Sequence, residues 1–258
     1  QHLHGSFALA ILAPNTGFAM IAVDRLGTRP LAFSATGNNL VFASRADGIL
    51  AHPGISKELN LQGLFNYLYF HMVPSPGSIY RDIGKLLPGE CLTYDSGTIN
   101  RTFYWLPEYQ EPKIDESQLS GELLSLLEKA VGNCLTHEPT GAFLSGGLDS
   151  STVTGMLARL SSMKVDAYGI GFDAKGYDEM EYARIAARQF GADHNEYYVT
   201  PEDLLEGIPT VAVHYDQPFG NSSAVPAWVC ASRARDDGLD KVLAGDGGDE
   251  LFGGNERY

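Results

Sequence analysis

Apolar residues along the first hundred positions come in short runs separated by turn residues. Phe7 to Leu12 is one such run, Pro14-Asn15-Thr16-Gly17 is a turn, and Ala19 to Val23 is a second run, which together predict a hairpin. Pro30 to Ser34 and Leu40 to Ser44 flank Gly37-Asn38-Asn39, residues that accept the backbone angles of tight turns. Glu90 to Tyr94 and Thr98 to Tyr104 flank Asp95-Ser96-Gly97 and predict a third strand pair. Leu61 to Phe70 is the helix among these strands. Leu106 to Lys113 holds Pro107 and Pro112 with little apolar content and reads as a linker. The resulting division is a β-rich part at 1–106, a linker at 107–114 and a second domain at 115–258.

Beyond Asp115 the apolar period lengthens. Asp115, followed three residues later by Gln118, predicts a capping box. Leu119, Leu123, Leu126, Leu127, Ala130, Val131 and Cys134 fall on one helical face. Gly141 to Leu144 is a short strand leading into a glycine-rich loop, and Val165 to Phe172 is a second strand. Asp178 with Glu181 opens a helix whose Ala183, Ala186, Ala187 and Phe190 face inward. Glu196 to Val199 is a third strand. Thr200-Pro201 then caps a helix, with proline at its first position. Lys241 to Ala244 is a fourth strand and ends in another glycine-rich loop. Strands alternating with helices predict a doubly wound parallel sheet.

Composition narrows the function classes. With 44% hydrophobic and 19% charged residues in 258, the chain can bury a core and is not generally disordered. Its 32 acidic against 18 basic residues give a net charge of −14, which argues against binding nucleic acid through its phosphates. A nucleotide stays open, because backbone N–H groups hold phosphates in an acidic protein. No apolar run approaches the ~20 residues of a membrane helix, and no signal peptide opens the chain. Cys91, Cys134 and Cys230 are far apart and in no metal spacing, as expected of reduced thiols in a cytoplasmic protein. The seven histidines form no metal spacing either. Trp105 and Trp228 read as packing anchors, and Arg25 with Arg29 as a solvated or structural pair.

Two loops carry candidate chemistry. Leu144-Ser145-Gly146-Gly147-Leu148-Asp149-Ser150-Ser151 lies between a strand and a helix. The glycines permit a tight turn with amides facing inward, the serines add hydroxyls, and the helix beginning near Asp149 aims its positive end at the loop. This is an anion cradle suited to pyrophosphate, without the spacing of a Walker A loop. Ala244-Gly245-Asp246-Gly247-Gly248-Asp249-Glu250-Leu251-Phe252-Gly253-Gly254 also follows a strand. Its carboxylates and flexible glycines suit Mg²⁺ or a reacting phosphate, since Mg²⁺ takes a few carboxylates plus phosphate oxygens. Both loops would lie at carboxyl ends of parallel strands, where open α/β sheets bind ligands.

The pair Ser-Gly-Gly-Leu-Asp-Ser-Ser and Gly-Asp-Gly-Gly-Asp-Glu-Leu-Phe-Gly-Gly resembles the synthetase domain of glutamine-dependent asparagine synthetases, members of the PP-loop ATP pyrophosphatases. The His137-to-Leu144 lead-in and Asp216-Gln217-Pro218-Phe219 with Ser222 to Pro226 are similar too, although Gln217 stands where the family has Glu. Leu3-His4-Gly5-Ser6-Phe7-Ala8 and Asp24 to Leu31 resemble the later part of the family's glutaminase domain. The resemblance implies an α/β protein: a partial glutaminase-type β-rich sandwich over 1–106, then a doubly wound parallel-sheet ATP pyrophosphatase (adenine nucleotide α-hydrolase-like) domain over 115–258. The family's glutaminase starts at a nucleophilic cysteine, whereas residue 1 here is Gln1. The expectation is therefore an internal portion of a longer protein, the alternative being a short protein that has lost glutaminase activity.

By the same resemblance, Ser145, Gly146, Gly147, Leu148, Asp149, Ser150 and Ser151 bind the phosphates of ATP. Leu144, Ile170, Ala244 and Gly245 line the nucleotide, Asp149 and Asp249 hold Mg²⁺, and Asp246 is the catalytic residue near the incoming ammonia. Aspartate is adenylated with release of pyrophosphate, and ammonia from glutamine then gives asparagine and AMP. The first domain would supply a wall of the ammonia channel. Partners are thus small molecules (aspartate, glutamine or ammonia, ATP) rather than nucleic acid or membrane, with a homodimer as the assembly. Two alternatives stay open: a related amidotransferase acting on another carboxylate, like lasso-peptide cyclases or β-lactam synthetases, and a catalytically silent nucleotide-binding homologue.

Overall fold

The computed structural model describes residues 3–109, 115–173 and 178–254. Contacts gather the chain into two compact units: Gln1–Glu111 with Ala212–Asn221, and Pro112–Val211 with Ser222–Tyr258.

The first unit contains β1 (Ala8–Ala13), β2 (Phe18–Val23), β3 (Ala32–Thr36), β4 (Asn39–Ala43), α1 (Ala46–Leu50), α2 (Leu61–Phe70), β5 (Gly84–Lys85), β6 (Glu90–Asp95) and β7 (Thr98–Phe103). The hairpins at Gly17, Gly37 and Gly97 form where the turn residues place them. Ser96 and Gly97 take φ of 47° and 94°, the pair of positive angles that matches a two-residue turn to strand twist. The strands build an antiparallel sheet in the order β1-β2-β6-β7 and a smaller one in the order β4-β3-β5. Ile21, Val23, Leu31, Leu86 and Leu92 form one core, and Ala32, Ala46, Ile49, Ile55 and Ile83 a second.

Buried polar groups fasten this unit. The Asp24 carboxylate accepts hydrogen bonds from the amides of Phe7, Leu26, Thr28 and Arg29 and from the Thr28 hydroxyl. Glu90 is buried, pairs with the Arg101 guanidinium at 2.6 Å, and accepts from the Leu87 amide. The segment 212–221 joins by hydrogen bonds. Arg45 donates to the His214 carbonyl, Ala46 N–H to Asp216, and Gly220 N–H to the His71 carbonyl. Gln217 Oε1 accepts from the Ile79 amide at 2.9 Å, a bond that an amide side chain makes as well as a carboxylate would.

The second unit contains α3 (Glu116–Cys134), β8 (Thr140–Phe143), α4 (Leu148–Leu160), β9 (Asp166–Phe172), α5 (Met180–Phe190), β10 (Asp193–Val199), α6 (Pro201–His214, assigned to this unit through Val211), α7 (Ala224–Asp236), β11 (Lys241–Leu243) and α8 (Gly248–Phe252). Its sheet is wholly parallel, in the order β10-β9-β8-β11. Alternate side chains leave a strand on opposite faces. Ala142, Leu144 and Ala167 therefore meet α4 and α5, while Tyr168 meets Cys230 and Ala234 of α7. Helices thus cover both faces, and the sheet is doubly wound. The chain enters at β8, moves outward through β9 and β10, then returns to the other side of β8 as β11. The order reverses between β8 and β11, and their carboxyl ends carry the two glycine-rich loops. No helix among the described residues is long and apolar enough to cross a membrane.

Three local expectations are corrected. Asp115 precedes α3 but forms no capping box: its carboxylate accepts from the nearer Ser117 hydroxyl, and Gln118 bonds Glu122. Of the apolar face read on α3, Val131 is buried and Leu127 packs beside it, whereas Leu119, Leu123 and Leu126 are exposed. Phe190 of α5 is 38% exposed, its ring edge lying instead over Gly155. The cap at Thr200 does form, and reciprocally: Thr200 N–H donates to the Asp203 carboxylate and Asp203 N–H to the Thr200 hydroxyl. Residues 110–114 of the linker lie outside the described residues.

Candidate functional site

The first loop leaves β8 at Leu144, whose amide donates to the Tyr168 carbonyl at 2.8 Å and prolongs the sheet by one bond. The chain then turns at Gly146, where φ is +91° and where a Cβ would lie 2.5 Å from the Ala183 amide nitrogen and 2.7 Å from Tyr182 Cβ. A side chain here meets both backbone strain and α5. Gly146→Ala should therefore cost about 2–4 kcal/mol of second-unit stability, which chemical denaturation measures. A change below 1 kcal/mol would contradict this packing.

Within the turn the buried Ser150 hydroxyl joins both ends of the loop. It accepts from the Ser145 amide at 3.2 Å, faces the Ser145 hydroxyl at 3.0 Å and donates to the Gly147 carbonyl at 3.2 Å. The first intrahelical bond of α4 runs from Ser151 N–H to the Gly147 carbonyl. The amides of Leu148, Asp149 and Ser150 precede it and have no carbonyl within the helix, so they form the positive end of α4.

The second loop approaches the first at its glycines. A Cβ on Gly245 would lie 2.7 Å from the Ser150 amide nitrogen and 2.8 Å from the Asp149 carbonyl carbon. The loops enclose a cavity of about 910 Å³ whose wall includes Ser145, Gly147, Leu148, Asp149, Ser150, Ala244, Gly245, Asp246 and Asp249. Gly146 and Ser151 stand outside that wall. So do Leu144 and Ile170, which the resemblance set against the nucleotide. Leu144 is 1% exposed and packs with Met180 and Ala183, and Ile170 packs on the α7 side of the sheet. The wall also takes in Phe143, Phe252, and Ala227 of α7. Phe252 stands inside the quoted second motif, whereas no local signal marks Ala227.

The Asp149, Asp246 and Asp249 carboxylates have no hydrogen-bond or ion-pair partner among the described residues, unlike Asp24 and Glu90. Asp149 is half-buried, and Asp246 and Asp249 are exposed to the cavity. No cluster of three or more histidine, cysteine, aspartate or glutamate side chains suited to a metal occurs among the described residues. The cavity wall nevertheless carries Asp149, Asp246 and Asp249, oxygen donors of the kind Mg²⁺ takes together with phosphate and water oxygens.

The first unit has a second cavity of about 750 Å³, walled by Leu9, Met20, Ala22, Cys91, Tyr104 and Trp105 among others. Burial and the nearby Glu90 charge push the Cys91 thiol up, the opposite of what an activated nucleophile requires. Arg25 lies over the Trp105 ring at 5.7 Å. All three cysteines are free thiols.

Residues 122–258 match the family profile described as asparagine synthase, and residues 1–105 match that of a glutamine amidotransferase domain. The chain is 38% identical over 261 residues to a putative glutamine-hydrolyzing asparagine synthetase 2 of Methanocaldococcus jannaschii, covering 98% of this chain and 50% of that protein. It is 27% identical to glutamine-hydrolyzing asparagine synthetase 1 of Bacillus subtilis, covering 99% of this chain and 40% of that one. The chain therefore spans about half the length of the curated relatives it matches. A solved glutamine-dependent NAD⁺ synthetase from Acinetobacter baumannii, in complex with adenosine diphosphate, is a distant likeness. It has a TM-score of 0.39 and 15% identity, over 68% of this chain and 32% of that one.

Proposed function

Because this chain belongs to the asparagine synthase family, we propose that the protein is a glutamine-hydrolysing asparagine synthase in which the cavity between the two glycine-rich loops activates aspartate with ATP. One observation carries the reading: loops from adjacent parallel strands meet at the switch point and present three carboxylates without structural partners.

In this reading the amides of Leu148, Asp149 and Ser150 and the hydroxyl of Ser145 receive the β- and γ-phosphates. Asp149 and Asp249 hold Mg²⁺, which when bound neutralises phosphate charge. Ala244 and Gly245 border the nucleoside, with Leu144 and Ile170 supporting the wall from behind. An oxygen of the aspartate side-chain carboxylate attacks the α-phosphorus, and the bond to the bridging oxygen of pyrophosphate breaks. Ammonia released from glutamine attacks the acyl carbon, gives up a proton to Asp246, and AMP leaves. The setting is the cytoplasm, with which the free thiols agree, and the assembly is a homodimer, which sedimentation of the full-length protein checks.

The test is a turnover assay of the full-length protein with ATP, Mg²⁺, aspartate and either glutamine or ammonia. AMP, pyrophosphate and asparagine should form in equal amounts. Pyrophosphate release with another carboxylate and none with aspartate would reassign the acceptor, and ATP binding without AMP would leave a silent homologue. Asp246→Asn should still release pyrophosphate in a single turnover but slow amide formation about 10²-fold, as quenched-flow analysis of asparagine would show.

A further inference from the structure

The Asp149 carboxylate has no hydrogen-bond or ion-pair partner among the described residues, yet it does not stand in open solvent. It lies directly over Gly248: a Cβ built there would fall within contact distance of Asp149 Cγ and Oδ2, and 2.8 Å from Oδ1. Gly245, one turn earlier, closes the other side of the niche, with its own added Cβ 2.9 Å from Asp149 Cβ. The Gly248 amide donates to the Gly245 carbonyl at 3.2 Å, so a single turn of chain forms the niche.

The two glycines differ in what a side chain would strike. At Gly245 the two nearest obstacles are backbone atoms of residues 149 and 150, which cannot yield without moving the first loop. At Gly248 the three nearest atoms all belong to the Asp149 carboxylate, which can swing away.

We propose that Gly248 is a positioning residue: its bare backbone seats the Asp149 carboxylate in the orientation that receives the metal of a metal–nucleotide substrate. The proposal rests on the functional reading above and adds what holds the ligand in place. Gly254 stands in the same relation to Asp249, whose Oδ1 occupies the space of a Cβ there. Both carboxylates assigned to the metal are thus seated on glycines.

The experiment measures ATP affinity of the full-length protein by calorimetry, with Mg²⁺ and with EDTA. The ratio of the two affinities is the quantity of interest. Gly248→Ala should leave metal-free ATP affinity unchanged and lower the ratio by about 10-fold or more, the effect typical of losing a residue that orients a metal ligand. Its melting temperature should hold within about 2 °C, as for a change that moves only a side-chain end. In the Asp149→Ala background the carboxylate is gone, the ratio is already low, and Gly248→Ala should lower it no further. If Gly248→Ala also lowers the melting temperature, Asp149→Ala should restore it by emptying the niche. A wild-type ratio in Gly248→Ala, or an equal loss in both backgrounds, overturns the proposal while leaving the nucleotide site intact. An absence of ATP binding by the wild-type protein under either condition removes the functional reading and this proposal together.

Discussion

Asp149→Ala should abolish ATP-dependent activation of aspartate, with kcat/KM down about 10³-fold, the scale for removing a preorganised charge from a phosphoryl-transfer site. The melting temperature should stay where it is. The loss of activity rests on the proposed metal role of Asp149, and the unchanged stability on its carboxylate bonding to nothing among the described residues. Its truncation removes no hydrogen bond, and alanine has high helix propensity for the first turn of α4. Truncation of a buried, hydrogen-bonded carboxylate would instead lower activity and stability together. Pyrophosphate release and thermal melting on one preparation separate the two. Activity within 10-fold of wild type would remove Asp149 from the metal site, and a large fall in melting temperature would show that its role is structural.

The loops proposed to carry this chemistry were legible because their residue types have few other uses. Two adjacent glycines between a strand and a helix, followed by Asp149 and two serines, define both the turn and the anion cradle. The strands of the parallel sheet were legible for the same kind of reason, as short apolar runs between helices. Their order was not: that β11 returns beside β8 is settled by long-range pairing of Val242 with Gly141, on which local pattern is silent. For Leu144 and Ile170 the face that each side chain takes was not legible either. Period two along a strand fixes which side chains share a face, but not which face is the core. Leu144 went to α5 and Ile170 to α7. The helix at α7 escaped notice because Ala, Ser and Arg blur the apolar stripe made by Val225, Val229, Cys230 and Ala234. On α3 the stripe was clear, but only its second half is covered within this unit. The seating of Asp149 on Gly248 was invisible because it joins residues a hundred positions apart.

Asp24→Asn should cost the first unit about 3 kcal/mol at neutral pH, or roughly 6–12 °C in its transition. Asp24 is 3% exposed, and its two oxygens receive five donors. An amide offers one acceptor oxygen and turns an NH₂ toward the remaining donors, leaving amides that close β1 onto the Asp24–Arg29 loop unsatisfied. Burial alone would push the carboxyl up. Hydrogen bonds from the Thr28 hydroxyl and from the amides of Thr28, Arg29 and Leu26 outweigh burial and bring it down to about 2. The folded state therefore binds the Asp24 proton less readily than the unfolded chain, where a carboxyl titrates near ~3.9. The stabilisation is complete above about pH 5, declines as pH falls through 4 toward 2, and is gone below both values. Its size from the shift is roughly 2–3 kcal/mol. The gap in stability between wild type and Asp24→Asn should be widest at neutral pH and narrow by that amount on going to pH 2. Because every other carboxyl is common to both proteins, the difference isolates Asp24. Urea denaturation at a series of pH values measures it, and a gap that stays constant from pH 7 to pH 2 would show that the carboxylate's charge contributes nothing to holding the loop.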